Sequence, residues 1–452
     1  MPLHGMRLLG ATALTLLLNG CGGADFWIDE SGSKAKLATI DSGDSVTFSW
    51  DPKELNGFSS ARIQPLDVAV GDTGPASFPV TYSDFYYFEG TRPDGSVKTS
   101  QSKAEVVALQ EYCGDSQISL NADLWLPDTE APAEGYPAVV FMHGGSWRDR
   151  DYSDMFQFLH RAAREGYIGV SIDYRLSADG DGDTVLGQWP NHIQDAKCAV
   201  RWLRALDAVG EINLNTDAIG AVGVSAGGNL ALLLGLTDES TDPVAQERID
   251  TYRDTMQHQS RDDSVQAVVA IAGISDFYRT WHYLADLKQN NISVPARDHA
   301  LDGVELLFGA PPTDNPNDAA SLPYIHNSPY FFVDAQTAAS QSFLLIHGSA
   351  DRLVPVSEAC HLAHRLWDLG GSAADVSVLA YAGENSSHYS YQQVRNMSTL
   401  QKLLTKNLGD YAKPVLDDTF AFLNRKLKGG AAPVYSEAPL SPGECDPSVP
   451  AI

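Results

Sequence analysis

The sequence predicts an α/β protein whose mostly parallel central sheet is covered by helices on both faces. Three observations carry that expectation. Beyond residue 105, apolar runs of strand length alternate with runs of helical length, the order that builds strand–helix–strand units. The strand-length runs, such as Ala138-Val139-Val140-Phe141-Met142, are continuously apolar, as strands buried on both faces are. The 452 residues are 43% hydrophobic and 20% charged, enough to fill a large core and too apolar for a wholly disordered chain.

The elements follow in order. Residues 106–111 and 118–126 read as a hairpin, and 138–142 as the first buried strand. Longer runs with apolar residues at helical spacing predict helices near 156–164, at 193–206, 226–236 and 357–369, and a closing helix within 398–427. Short apolar runs bounded by turn residues predict strands at 168–172, 218–224, 265–272, 343–346 and 376–379. In such a sheet, ligands bind at the carboxyl ends of the strands.

Two stretches interrupt the alternation. Residues 238–263 are polar, with room for one amphipathic helix, and residues 277–339 carry Trp281, Tyr283, Tyr324, Tyr330, Phe331 and Phe332. The second is too long for an ordinary connection. We read it as a cap-like insertion over a cleft, with a surface excursion as the alternative. Ahead of the sheet, residues 22–101 are rich in Ser, Gly, Asp and Thr, with alternating stretches such as Ser45-Val46-Thr47-Phe48-Ser49-Trp50. The expected organisation is a leader (1–20), a tether with a small β-rich or irregular segment (21–104), the α/β domain (105–430) and a C-terminal tail (431–452).

The leader has Arg7, an apolar run over residues 8–18, and then Asn19-Gly20-Cys21. That run is too short to span a bilayer, which takes about 20 residues, and reads as a signal peptide. Leu18-Asn19-Gly20-Cys21 resembles a bacterial lipobox, which implies lipid attachment at Cys21 and a membrane-anchored exported lipoprotein facing the periplasm or cell exterior. Ordinary secretory cleavage is the alternative. Of the remaining cysteines, Cys198 and Cys360 lie in helical apolar patterns and read as buried small hydrophobes. Cys113 and Cys445 flank the main domain and can pair. None has zinc-site spacing.

The net charge of −27 argues against a nucleic-acid partner. Asp179-Gly180-Asp181-Gly182-Asp183 suggests a calcium loop, but Thr184 stands where that pattern needs Gly and Pro190 where it needs Glu. We read it as a solvated acidic loop and expect no metal.

The chemistry concentrates at strand ends. Gly223-Val224-Ser225-Ala226-Gly227-Gly228 places G-x-S-x-G between an apolar strand and an apolar helix. A tight strand-to-helix turn needs small neighbours and pushes the Ser225 hydroxyl out, facing the positive end of the helix. A serine hydroxyl needs a base, and the base an orienting carboxylate. Asp351 follows the strand 343–346 in His347-Gly348-Ser349-Ala350-Asp351, and His388 closes Gly383-Glu384-Asn385-Ser386-Ser387-His388 after the next strand. Both fall on the sheet edge that carries Ser225. His326, His347, His361 and His364 compete as bases, with His347 read as a structural neighbour and His361 and His364 as surface or packing residues. Glu384 rivals Asp351. Acyl transfer also needs donors for the oxygen that gains charge. His143-Gly144-Gly145-Ser146-Trp147 follows the strand 138–142, so Gly144, Gly145 and Ala226 N–H groups form the expected oxyanion hole, His143 supports the loop, and Trp147 walls the substrate pocket.

Taken together, HGGSW, GVSAGG, HGSAD, the late histidine, Asp173-Tyr174-Arg175-Leu176 and the helix after Trp189-Pro190 resemble the α/β-hydrolase superfamily. The likeness is to its carboxylesterase branch, with the hormone-sensitive-lipase-like and the feruloyl or acetylxylan (BD-FAE-like) esterases, and covers roughly residues 111–427. It implies about eight sheet strands, hydrolysis of small to medium acyl esters or carbohydrate-linked esters without a cofactor, and an acyl-enzyme on Ser225. Two features depart from that pattern: Ser146 stands where lipase relatives often have a third Gly, and His388 lies in Ser-Ser-His-Tyr. A serine peptidase or arylformamidase of the same fold, and a non-catalytic binding module, are the alternatives.

Overall fold

The computed structural model describes the strands between residues 46 and 104, most of residues 120–382, His388, and most of residues 412–448. The leader, Cys21, the strand expected at 106–111, Cys113, the acidic loop 179–183 and Glu384 lie outside the described residues. Strands β1 (Val46–Ser49), β2 (Ser60–Leu66), β3 (Phe85–Thr91) and β4 (Val97–Ala104) form a four-stranded antiparallel sheet in sequence order.

The second sheet has seven described strands: β5 (Ala122–Trp125), β6 (Tyr136–Met142), β7 (Ile168–Ile172), β8 (Leu214–Val224), β9 (Ala267–Ile271), β10 (Phe343–Gly348) and β11 (Val376–Tyr381). Their order is β11-β10-β9-β8-β6-β7-β5. Neighbours pair in parallel except β5, which runs antiparallel to β7. About eight strands were expected; seven are found among the described residues.

Alternate residues of each strand feed two separate cores. Ala138, Val140 and Met142 of β6 join one with Val268 and Ala270 of β9, Phe343 and Leu345 of β10, and the helices α2 (Asn191–Ala208), α3 (Ala226–Leu236) and α9 (Ser357–Asp368). Val139, Phe141, Val269, Ile271, Leu344 and Ile346 join the other, beneath α1 (Phe156–Arg164) and α10 (Ala412–Leu427). Helix α3 is buried at every position, which explains why its sequence is apolar all round but for Asn229.

Among the described residues of 238–263 there is one helix, α4 (Pro243–Arg253). The longer insertion folds as α5 (Phe277–Gln289), α6 (Arg297–Phe308), α7 (Leu322–His326), a 3-10 turn (Pro329–Phe332) and α8 (Ala335–Ser340). Phe277, Leu284, Leu287, Val304, Leu307, Tyr324 and Phe332 are buried in the first core, so this stretch is an integral layer of the domain and not a surface excursion.

The cysteine expectation needs correction. Cys360 is bonded to Cys445, and Cys198 is also disulfide-bonded. Neither Cys198 nor Cys360 is therefore a free buried thiol, and Cys445 does not pair with Cys113. The helical apolar setting of Cys360 hid the bridge, because its partner arrives from a chain end 85 residues away. That end is a strap: Ser436 binds Asp418, Leu440 N–H donates to Val378 O at 2.9 Å, and His364 Nε2 lies 2.7 Å from Cys445 O. Among the described residues no helix is long and apolar enough to cross a membrane.

Candidate active site

Ser225 sits between β8 and α3 with φ 56 and ψ −117, a conformation that an L-residue adopts only under constraint. The glycines around it supply the space. A Cβ on Gly223 would come within 2.7 Å of Gly228 N, one on Gly227 within 2.6 Å of Met142 C, and one on Gly228 within 2.8 Å of Gly273 Cα. The turn is tied down by Ser225 N–H donating to Ile271 O at 2.8 Å and by Asn229 Nδ2–H donating to Ile274 O at 2.9 Å.

The three residues expected to work together are brought together. His388 Nε2 lies 3.2 Å from Ser225 Oγ, and His388 Nδ1 lies 2.8 Å from Asp351 Oδ2. Asp351 Oδ1 meanwhile accepts from Leu353 N–H at 2.9 Å and Val354 N–H at 3.0 Å. All three side chains are buried, which strengthens their mutual interaction by excluding water. With the proton on Nδ1, Nε2 is free to accept from the hydroxyl, so the arrangement can generate a serine nucleophile.

The rival imidazoles are engaged elsewhere. His361 stacks on Tyr330 at 3.9 Å and lies 3.5 Å from Asp276. His364 holds the strap, and the half-buried His326 packs on Phe331 at 4.8 Å. His347 is enclosed at the end of β10, and burial pushes its pKa down to about 4, with Asp351 opposing and His388 adding. It is a neutral neighbour of the site.

Gly144 and Gly145 follow β6, Gly145 with φ 118. Ala226 opens α3, where a helical N–H has no intrahelical acceptor. His143 lies beneath this loop: it stacks on Tyr174 at 4.3 Å, Tyr174 O–H donates to His143 O at 2.9 Å, and His143 Nδ1 is 2.7 Å from Gly144 O. Trp147 differs from expectation. Its side chain is fully enclosed, 5.4 Å from the Phe277 ring, so it buttresses the loop and presents no open wall to a pocket.

Several supporting contacts escaped the sequence reading, although Arg175 stood within one of the motifs quoted for the resemblance. Arg175 Nη2–H donates to Asp195 Oδ1 at 2.7 Å, and Arg175 N–H to Asp195 Oδ2 at 2.8 Å, which ties the segment after β7 to α2. Burial pushes the Asp195 carboxyl up against the pull of Arg175. Glu358, at the start of α9, accepts from Ser275 N–H at 3.1 Å and Ser275 Oγ–H at 2.9 Å, and pairs with Arg279 at 3.1 Å. An Asn inside the otherwise apolar run of α3 was a visible signal for Asn229. Among the described residues no cluster of His, Cys, Asp or Glu is arranged to hold a metal ion.

A strained serine at a strand-to-helix turn, facing an imidazole and a carboxylate at the end of a mostly parallel sheet, defines an α/β-hydrolase. The BD-FAE family model matches residues 122–366, more than half of the chain. The protein belongs to that family. It is 30% identical over 276 residues to Esterase LipC of Mycobacterium tuberculosis, covering 60% of this chain and 57% of LipC. It is also 27% identical over 274 residues to the probable carboxylic ester hydrolase LipM of the same organism, covering 59% of this chain and 54% of LipM. The matched part thus spans little more than half the length of these curated relatives. The structure of the bifunctional GH43-CE protein of Bacteroides eggerthii superposes with a TM-score of 0.50 at 20% identity, covering 83% of this chain and 50% of that one, a likeness of fold.

Proposed function

We propose that the protein is a serine carboxylic-ester hydrolase acting through an acyl-enzyme. The single observation that carries this reading is the unbroken contact series from Ser225 Oγ through His388 to Asp351. His388 Nε2 takes the hydroxyl proton as Ser225 Oγ attacks the ester carbonyl. Asp351 stabilises the imidazolium and keeps its Nδ1 proton in place. Gly144, Gly145 and Ala226 N–H groups receive the oxyanion, and the imidazolium returns its proton to the departing alcohol. Water, activated by the same imidazole, then releases the acid. The assembled triad favours this reading over a non-catalytic binding module.

Small to medium acyl esters, including acetyl or feruloyl groups on carbohydrate, are the substrates proposed. Family membership supports the class, and an acyl-chain panel that includes acetyl-xylan and feruloyl esters would assign the member. We also propose export and lipid attachment at Cys21. The leader's Leu18-Asn19-Gly20-Cys21 supports this, as does the Cys360–Cys445 disulfide, a bond typical of oxidising compartments.

The test is turnover of p-nitrophenyl acetate by Ser225→Ala. Activity should vanish while the circular dichroism spectrum is unchanged; undiminished activity in the variant would refute the assignment.

A further inference from the structure

The helices α5 and α6 of the long insertion reach both loops that shape the reaction centre. Helix α6 lies on the oxyanion loop. Gly303 is buried there, and a Cβ on it would sit 2.9 Å from Ser146 Cβ and closer still to the Ser146 carbonyl oxygen. Glycine inside a helix runs against helix propensity, so close approach is the physical reason for it here. The loop it meets is strained: Ser146 and Trp147 have φ 55 and 58, values that L-residues hold only when their surroundings impose them.

The same pair of helices supplies further constraints. Asp302 of α6 lies 3.5 Å from Arg148, and His299 lies 3.6 Å from Asp149. Phe277 of α5 packs on Trp147, while Tyr283 O–H of α5 donates to Arg352 O at 2.9 Å, the carbonyl next to Asp351. Trp281 Nε1–H donates to Glu305 Oε1 at 2.9 Å, locking α5 to α6.

We propose that the α5–α6 pair is a clamp that sets the oxyanion loop and the acid loop in register with Ser225, Gly303 being the positioning residue for the first and Tyr283 for the second. The proposal rests on the ester-hydrolase reading above. Alanine at 303 has no room unless Ser146 moves, and the N–H groups of Gly144 and Gly145 move with it. Those donors act on charge that develops in the transition state, so displacing them lowers kcat and leaves ground-state binding nearly intact.

The experiment compares the full-length protein with Gly303→Ala, Tyr283→Phe and the double variant Gly303→Ala/Ser146→Gly, reading kcat and KM on p-nitrophenyl acetate and Ki for a trifluoromethyl ketone, whose serine adduct carries an oxyanion. Gly303→Ala should lower kcat about 10- to 100-fold with KM within about twofold, and raise Ki in parallel. Ser146→Gly leaves the carbonyl oxygen in place but removes the 2.9 Å Cβ contact and, by freeing the left-handed backbone, lets the loop absorb the shift, so it should restore part of both. Tyr283→Phe should lower kcat about threefold to tenfold at unchanged KM, since a single neutral hydrogen bond is lost. It carries the test alone if circular dichroism shows Gly303→Ala unfolded. Wild-type kcat and Ki in folded Gly303→Ala, or wild-type kcat in Tyr283→Phe, would overturn the clamp. A wild-type protein without turnover would instead contradict the ester-hydrolase reading, before any variant is compared.

Discussion

Asp351 meets His388 through one carboxylate oxygen, Oδ2 at 2.8 Å from Nδ1, while its other oxygen is held by Leu353 and Val354 N–H groups. The backbone therefore fixes the orientation in which the carboxylate meets the imidazole. An amide in its place must satisfy two backbone donors with its single oxygen, which turns its NH2 toward Nδ1 and selects the wrong tautomer.

Asp351→Asn should consequently fold normally and lose about 10³- to 10⁴-fold in kcat. Steady-state kinetics on a chromogenic ester measure this. Near-wild-type kcat would move the acid to another residue, Glu384 being the sequence's second choice.

The buried histidines predict how stability responds to acid. In the unfolded chain a histidine protonates near pH 6.5, whereas burial holds His347 down to about 4 and His192 to about 3, with Arg175 adding to the latter. As pH falls from about 6.5 to about 4 the unfolded state gains protons that the native state refuses, so stability is lost across that window. Each histidine contributes up to about 1.4 kcal/mol per pH unit. Urea denaturation of wild type and His347→Leu between pH 7 and 4 should show a shallower decline in the variant. Parallel curves would show that His347 binds its proton equally in both states.

The strap predicts a stability effect separable from catalysis. The Cys360–Cys445 bridge closes a loop of 85 residues, worth about 4–5 kcal/mol in the chain-entropy account. Replacing both cysteines by serine should lower Tm by several degrees, about 5–10 °C, with kcat at 25 °C retained. An unchanged Tm would mean that the hydrogen bonds at Val378, His364 and Asp418 hold the strap unaided.

Much of the architecture was legible because it is written in local pattern. The bounds of α1, β7 and α3 match the apolar runs residue for residue, and the three strand-end motifs placed Ser225, Asp351 and His388 on one edge. What stayed hidden depends on contacts between distant segments. Gly303 has meaning only against Ser146, and the Cys360 bridge only against a tail that no periodicity ties to α9. Trp147 looked like a pocket wall because an aromatic residue beside a glycine loop carries no sign of which way it points. The insertion's aromatics were visible, but the burial of Tyr283, Tyr324 and Phe332 in the main core required the fold. Buried ion pairs such as Lys197 with Asp263, 2.8 Å apart, also left no local trace, since their partners lie on different elements.

The most direct measurement is mass spectrometry of the protein after reaction with a fluorophosphonate, with peptide mapping of the modified position. The account predicts one phosphonyl group per chain, located on Ser225, and a rate of labelling that collapses in His388→Ala. A folded protein that remains unlabelled, or that carries the group on a different residue, would contradict it.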